Sequence, residues 1–215
     1  MDSTKYKRLE FVYSNTKVNT IVKDISIDPT DGIDITVRNL NRIEGEFGFI
    51  YNSNAHLLFG FRNNNNNNTA LRVYIASTEK NLVTDINDKK FNVTCSNLSE
   101  GEYYINGKLI DTIPYTGEKF IGNISGFQNS SNIVFYDYIV RDNSGNMKYH
   151  FIPARQISDN KIGLYDDINS IFYPISNASY GDVDDFSTYT SIQIPEGEVS
   201  KIEDKDGNIL WSKKS

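Results

Sequence analysis

Glu46-Phe47-Gly48-Phe49-Ile50-Tyr51, His56-Leu57-Leu58-Phe59-Gly60-Phe61 and Leu71-Arg72-Val73-Tyr74-Ile75 follow one another within residues 46–75. In each, an apolar or aromatic side chain returns at every second position. A period of two buries one row of side chains and wets the other, as in a half-buried β-strand. The same period runs outward through Arg8-Leu9-Glu10-Phe11-Val12-Tyr13 and Ile33-Asp34-Ile35-Thr36-Val37-Arg38. No segment keeps a helical period for more than a turn or two.

The breaks between these runs are built from turn residues. In Asp28-Pro29-Thr30-Asp31-Gly32 the proline presets φ, and Asp-Gly tolerates positive φ. Asn106-Gly107 separates Glu102-Tyr103-Tyr104-Ile105 from Lys108-Leu109-Ile110 and predicts a hairpin with a type I′ turn. Asn143-Ser144-Gly145-Asn146 and Asp206-Gly207-Asn208 predict two further hairpin tips. Many strands of this length, spaced by turns, predict an all-β antiparallel sandwich or jelly roll.

Composition supports strands. Aromatic residues make up 13% of the 215 residues, with 14 Tyr and 12 Phe, and flat or β-branched side chains fit a pleated surface. A chain of this length buries a sizeable core without disulfides or metal. Cys95 is the only cysteine, so neither an internal disulfide nor a cysteine zinc cluster can form. It alternates in phase with Phe91 and Val93, which predicts a small buried side chain. The net charge of −6 argues against nucleic acid, whose binding rests on clustered Lys and Arg. No run approaches the length of an apolar membrane span, so no membrane insertion is expected. Met1–Arg8 lacks the apolar core of a signal peptide, which predicts a chain made and folded in a cytoplasm. Sequons at Asn92, Asn97, Asn123, Asn129 and Asn177 carry no weight without a secretory signal.

Residues capable of chemistry are sparse. His56 and His150 are far apart and lack ligand spacing; His150 falls in a strand pattern, and both are expected to be ordinary strand residues. Glu44 and Glu46 have the alternating spacing of a glycosidase carboxylate pair, but Gly45 between them predicts a solvated turn. Asp182, Asp184 and Asp185 cluster in a segment that offers oxygen ligands to calcium; a solvated acidic loop is the simpler expectation. The six asparagines Asn63–Asn68 predict an exposed loop, one that a rigid scaffold can use for recognition. The aromatic surplus offers a sugar platform, although alternation assigns most aromatics to the core. No catalytic, metal or cofactor residues are assigned.

Three stretches resemble the concanavalin A-like, laminin-G-like jelly-roll proteins of bacteriophages and prophages. Arg8-Leu9-Glu10-Phe11-Val12-Tyr13-Ser14 is similar to a shortened form of the family's opening motif. Gly101-Glu102-Tyr103-Tyr104-Ile105-Asn106-Gly107-Lys108-Leu109 resembles its Asn-Gly hairpin. The most specific run is Phe135-Tyr136-Asp137-Tyr138-Ile139-Val140, Phe151-Ile152-Pro153-Ala154-Arg155, Lys161-Ile162-Gly163-Leu164-Tyr165-Asp166 and Phe172-Tyr173. Its residues read as fold determinants. Ile139, Tyr149 and Phe151 suit the last strands, Pro153 is expected to end a ladder for want of an N–H, Gly163 permits close approach, and Tyr165 anchors the returning chain.

The expected organisation is a concanavalin A-like jelly-roll sandwich over residues 1–190 and a short C-terminal β-hairpin tail over residues 191–215, packed on the domain or on a neighbouring subunit. The tail resembles endings of phage virion proteins. In it, Ile209 and Trp211 are the expected assembly contacts, since tryptophan is enriched at binding hot spots. The resemblance implies a virion structural protein, either a head fibre or decoration protein or a tail or fibre subunit. Its expected partners are other virion proteins, further copies of itself and a host-surface or mucosal glycan. The alternative is a glycan-degrading enzyme, a capsule depolymerase or hydrolase, on the same fold.

Overall fold

A computed structural model describes residues 1–14, 20–39, 46–52, 57–63, 69–75, 78–84, 89–127, 133–176, 178–181, 201–203 and 209–212. The strands are, in chain order, β1 (Tyr6–Arg8), β2 (Phe11–Ser14), β3 (Thr20–Ile27), β4 (Gly32–Asn39), β5 (Glu46–Asn52), β6 (Leu57–Asn63), β7 (Thr69–Ile75), β8 (Thr78–Thr84), β9 (Lys89–Cys95) and β10 (Glu102–Ile105). They continue with β11 (Lys108–Thr112), β12 (Phe120–Phe127), β13 (Ile133–Arg141), β14 (Met147–Gln156), β15 (Ile162–Asp166), β16 (Ile171–Pro174), β17 (Ala178–Gly181), β18 (Lys201–Glu203) and β19 (Ile209–Ser212). Among the described residues there is no helix. The chain divides into two units, Met1–Val183 and Asp184–Ser215.

The first unit is an antiparallel sandwich of jelly-roll type. The larger sheet has eleven strands, in the order β11-β10-β9-β4-β13-β14-β15-β16 with β1, β2 and β17 beside that path. The smaller has six, in the order β3-β12-β5-β6-β7-β8. The alternating aromatics of residues 46–75 explain why the sheets stack. Phe47 meets Phe135 at 5.5 Å between ring centroids, Phe59 meets Tyr103 at 5.3 Å, and Phe61 meets Phe91 at 5.8 Å, each across the sandwich. Tyr138 is fully buried and satisfies its hydroxyl by donating to the Phe49 carbonyl at 2.9 Å. Full burial of such a side chain is worth about 1.5–3 kcal/mol over leaving it exposed.

The turns follow the residue chemistry. Asn106 and Gly107 have φ of 50° and 77°, the two positive values that a type I′ turn requires. In the turn before β4, the Asp31 amide donates to the Asp28 carbonyl at 2.9 Å, and the Asp28 amide donates to the Asp31 carboxylate at 2.8 Å. Gly163 lies against β16, where a Cβ would stand 2.1 Å from the Tyr173 carbonyl oxygen; close approach explains this glycine.

The N-terminal strands fill a fork in the larger sheet. On its side away from β4, β13 pairs β2 through Ile133–Phe135 and β14 through Tyr138–Arg141. Beyond the fork, β14 pairs β1, with Arg8 opposite Ala154. Pro153 departs from its expected role as a ladder terminator. It sits inside β14, opposite Leu164, and the strand continues to Gln156. Its carbonyl accepts from the Leu9 amide at 2.9 Å, on the fork side. The missing N–H therefore faces the fork, where β14 changes partners and no ladder donor is required.

In the second unit β18 and β19 pair antiparallel, with Trp211 opposite Ile202 and Ile209 opposite Glu203. The Asp206-Gly207-Asn208 tip lies outside the described residues.

Candidate functional site

Core packing determines which side chains reach the outer face of the larger sheet. Because Phe91 and Val93 point inward, Lys90, Asn92 and Thr94 point outward; because Ile33, Ile35 and Val37 point inward, Asp34, Thr36 and Arg38 point outward. Register then sets Asp34 opposite Thr94, and Thr36 opposite Asn92. The result is a polar ladder across β4 and β9. The Asn92 amide group donates to Asp34 Oδ1, and to Thr36 Oγ1 at 3.4 Å. The Thr94 hydroxyl donates to Asn92 Oδ1 at 3.0 Å. Next along, Tyr104 lies opposite Thr94, and its hydroxyl donates to Glu102 at 2.7 Å.

The ladder opens at one end into a cleft of about 390 Å³. Asp34 and Thr94 belong to both. The other wall carries Glu100 from the loop after β9, and Arg141 and Asn143 from the β13–β14 hairpin. The carboxylate of Asp142 is occupied in shaping that hairpin, accepting from the Ser144 and Asn146 amides at 2.9 Å each. Carboxylate, amide, hydroxyl and guanidinium groups thus converge on one small volume, with Asp34, Thr94 and Arg141 carried by strands and Glu100 and Asn143 by the turns beside them. Such a set matches the mixed donors and acceptors of a polyhydroxylated ligand.

His150 stands on the same face, in β14, opposite Ile139. Its Nε2 lies 2.8 Å from Asp137 and its Nδ1 3.4 Å from Asp167. The hydrogen bond that the imidazole makes to the Asp137 carboxylate raises its pKa above the ordinary value. Burial and Arg8 oppose that shift, while the charges of Asp137 and Asp167 add to it. A carboxylate at each nitrogen favours the doubly protonated imidazole, the form that has no lone pair to offer as a base. It ties β13 to the β15–β16 turn. Lys148 acts alike nearby, with Nζ 2.5 Å from the buried Asp31 and 2.9 Å from Asp28.

Cys95 is fully buried, as its phase predicted, and burial pushes its thiol up to about 12; it is not a thiolate nucleophile at neutral pH. Among the described residues no group of three or more His, Cys, Asp or Glu is placed to hold a metal ion, and no helix is long and apolar enough to cross a membrane. His56, Glu44, Asn64–Asn68, Asp182, Asp184 and Asp185 lie outside the described residues. Glu46 opens β5 and Asn63 closes β6. Ile209 and Trp211 lie in β19, with only their backbone pairing described.

The ladder and cleft were not singled out by sequence reading. Asp34, Thr36, Asn92 and Thr94 read there as the wet alternates of two strands. Their meeting depends on β4 pairing β9 across more than fifty residues, which no local pattern states.

No protein-family model matches the chain, and no curated protein sequence does. Among solved structures, it is similar to the native heptameric SAP-like pentraxin of Limulus polyphemus, with a TM-score of 0.43 and 13% identity over 66% of this chain and 78% of that one.

Proposed function

We propose that this chain is a non-catalytic structural protein of a bacteriophage particle, a head fibre or decoration protein or a tail or fibre subunit, whose sandwich binds a surface glycan. The observation that carries the binding reading is the polar ladder running from Asn92 through Asp34 into the cleft beneath Arg141 and Glu100. Sugars are recognised by fixed planar groups that bind hydroxyls without reorganising, and this ladder is held on strands. The virion reading is supported by the resemblance of the Phe135–Tyr173 run and of the tail to phage proteins. Ile209 and Trp211, in the tail hairpin, are the proposed contacts to other virion proteins or to further copies of the chain.

Two measurements test this reading. On an array of bacterial-surface and mucosal glycans, the full chain is expected to retain a defined subset. Arg141→Ala and Asp34→Ala are expected to weaken that binding by about tenfold or more, with the unfolding midpoint nearly unchanged, as for polar contacts at a pre-formed site. Release of reducing ends from a bound glycan would replace the binding protein with a glycan-degrading enzyme. Absence of the chain from purified particles by mass spectrometry would remove the virion assignment.

A further inference from the structure

We propose that the cleft selects a zwitterionic glycan, one with a carboxylate on one sugar and a free ammonium on the next: Arg141 takes the carboxylate and Glu100 the ammonium. This rests on the glycan-binding reading above and names the class of glycan.

Opposite charges face this cleft without meeting. Arg141 ends β13, and Glu100 lies in the loop after β9. Among the described residues, neither the Arg141 guanidinium nor the Glu100 carboxylate forms an ion pair or a side-chain hydrogen bond. Sheet order explains the gap. β4 lies between β9 and β13, so the two walls stand two strand spacings apart, about 10 Å. The β4 residue opposite Arg141 is Gly32. It falls on the outer face, in phase with Asp34, and has no side chain to fill the interval. Ties through one turn fix the walls. The Leu98 amide donates to the Asp31 carbonyl at 3.2 Å and the Ser99 amide to the Pro29 carbonyl at 2.7 Å, which fastens the Glu100 loop to the turn before β4. The buried Asp31 carboxylate holds Lys148 Nζ at 2.5 Å, which fastens the same turn to β14. Charges held apart in this way need little reorganisation when a ligand enters.

The balance of charge disfavours a purely acidic sugar. Asp34, Glu100 and Asp142 line the cleft against Arg141 alone. Their field reaches the floor: burial first, and then the charges of Glu102 and Glu100, raise the pKa of the Cys95 thiol beneath the cleft. An ammonium offsets this excess of negative charge. The guanidinium fork matches the planar carboxylate in geometry as well as in sign. Side chains reaching inward from walls about 10 Å apart leave room for charges on adjacent sugars.

Calorimetric titration of the full chain tests this with a hyaluronan tetrasaccharide, whose charge can be changed on one backbone. The unmodified form is anionic, the de-N-acetylated form zwitterionic, the methyl ester neutral, and the de-N-acetylated methyl ester cationic. The zwitterionic form is expected to bind about tenfold tighter than each of the others. Arg141→Gln is expected to bring it within about threefold of the cationic form, and Glu100→Gln within about threefold of the anionic form, because each variant removes one of the two charge contacts. Circular dichroism checks that both variants keep the fold, and Arg141→Lys should retain part of the preference. Equal affinity for the four forms, tightest binding by a form other than the zwitterionic one, or variants that weaken all four alike would each overturn the proposal and leave the cleft reading standing. Binding by no form overturns it too; the cleft reading then survives if the array retains other glycans, and both fall if it retains none.

Discussion

Phe135 and Tyr136 are adjacent in sequence and opposite in environment. Phe135 is buried against Phe47 and Phe49 of the other sheet. Tyr136 faces outward beneath Lys90. The contrast extends to the two faces of the larger sheet. The inner face is a continuous aromatic and aliphatic core. The outer face is a hydrogen-bonded polar ladder, a histidine held between carboxylates, and a small apolar group of Ile152, Ala154 and Tyr165 packed with Tyr6 and Phe172. One face secures stability by excluding water. The other holds its polar groups in fixed hydrogen bonds at the surface.

The sharpest way to break the comparison is to delete the two adjacent rings in turn. Phe135→Ala is expected to cost about 3–5 kcal/mol, the usual range for emptying a core aromatic site, whereas Tyr136→Ala should cost less than about 1 kcal/mol, as for surface changes. Urea denaturation measures both, and equal costs would mean that Tyr136 belongs to the core.

A smaller effect is expected at the sheet's polar margin. Lys148→Ala strands the buried Asp31 carboxylate without its cation, at a cost of about 1–3 kcal/mol. Lys148→Arg, which keeps the charge, should recover part of it. A thermal midpoint unmoved by Lys148→Ala would show that water replaces the ammonium.

The smallest effect is a pH dependence. The folded pKa of His150 is raised above the unfolded value of about 6.5 by Asp137 first and, secondarily, by Asp167. Its contribution is therefore fully present below that unfolded value and is lost as pH rises through the folded one. Asp166, whose carboxylate accepts from the His150 amide at 3.3 Å, and Arg8 are the other charged groups facing it. The stability difference between pH 5 and pH 8 should be reduced in His150→Gln. A difference of the same size in the variant would assign the pH dependence elsewhere.

Much of this architecture was legible residue by residue. Alternation in residues 46–75 marked the core rings, Asn106-Gly107 marked a turn with two positive φ values, and the phase of Cys95 marked a buried thiol. Pro153 was misread because a proline looks like a ladder's end when only its own strand is in view; the fork that excuses its missing N–H is made by β1 and β2, far away in sequence. His150 looked ordinary for the same reason, since Asp137 and Asp167 flank it only after three segments pair. The aromatic surplus is visible in composition, but which rings stay exposed depends on the register shift between β13 and β4 after Phe135, which leaves no local signature.

Sequence by itself therefore determined the class of fold, the strand faces and the hairpin chemistry, because side-chain period and turn propensity are local properties. The tertiary structure alone decided the polar ladder, the cleft, the carboxylate clamp on His150 and the outward turn of Tyr136. Each of these requires register between strands distant in the chain, and register is set by the packing of the whole sandwich.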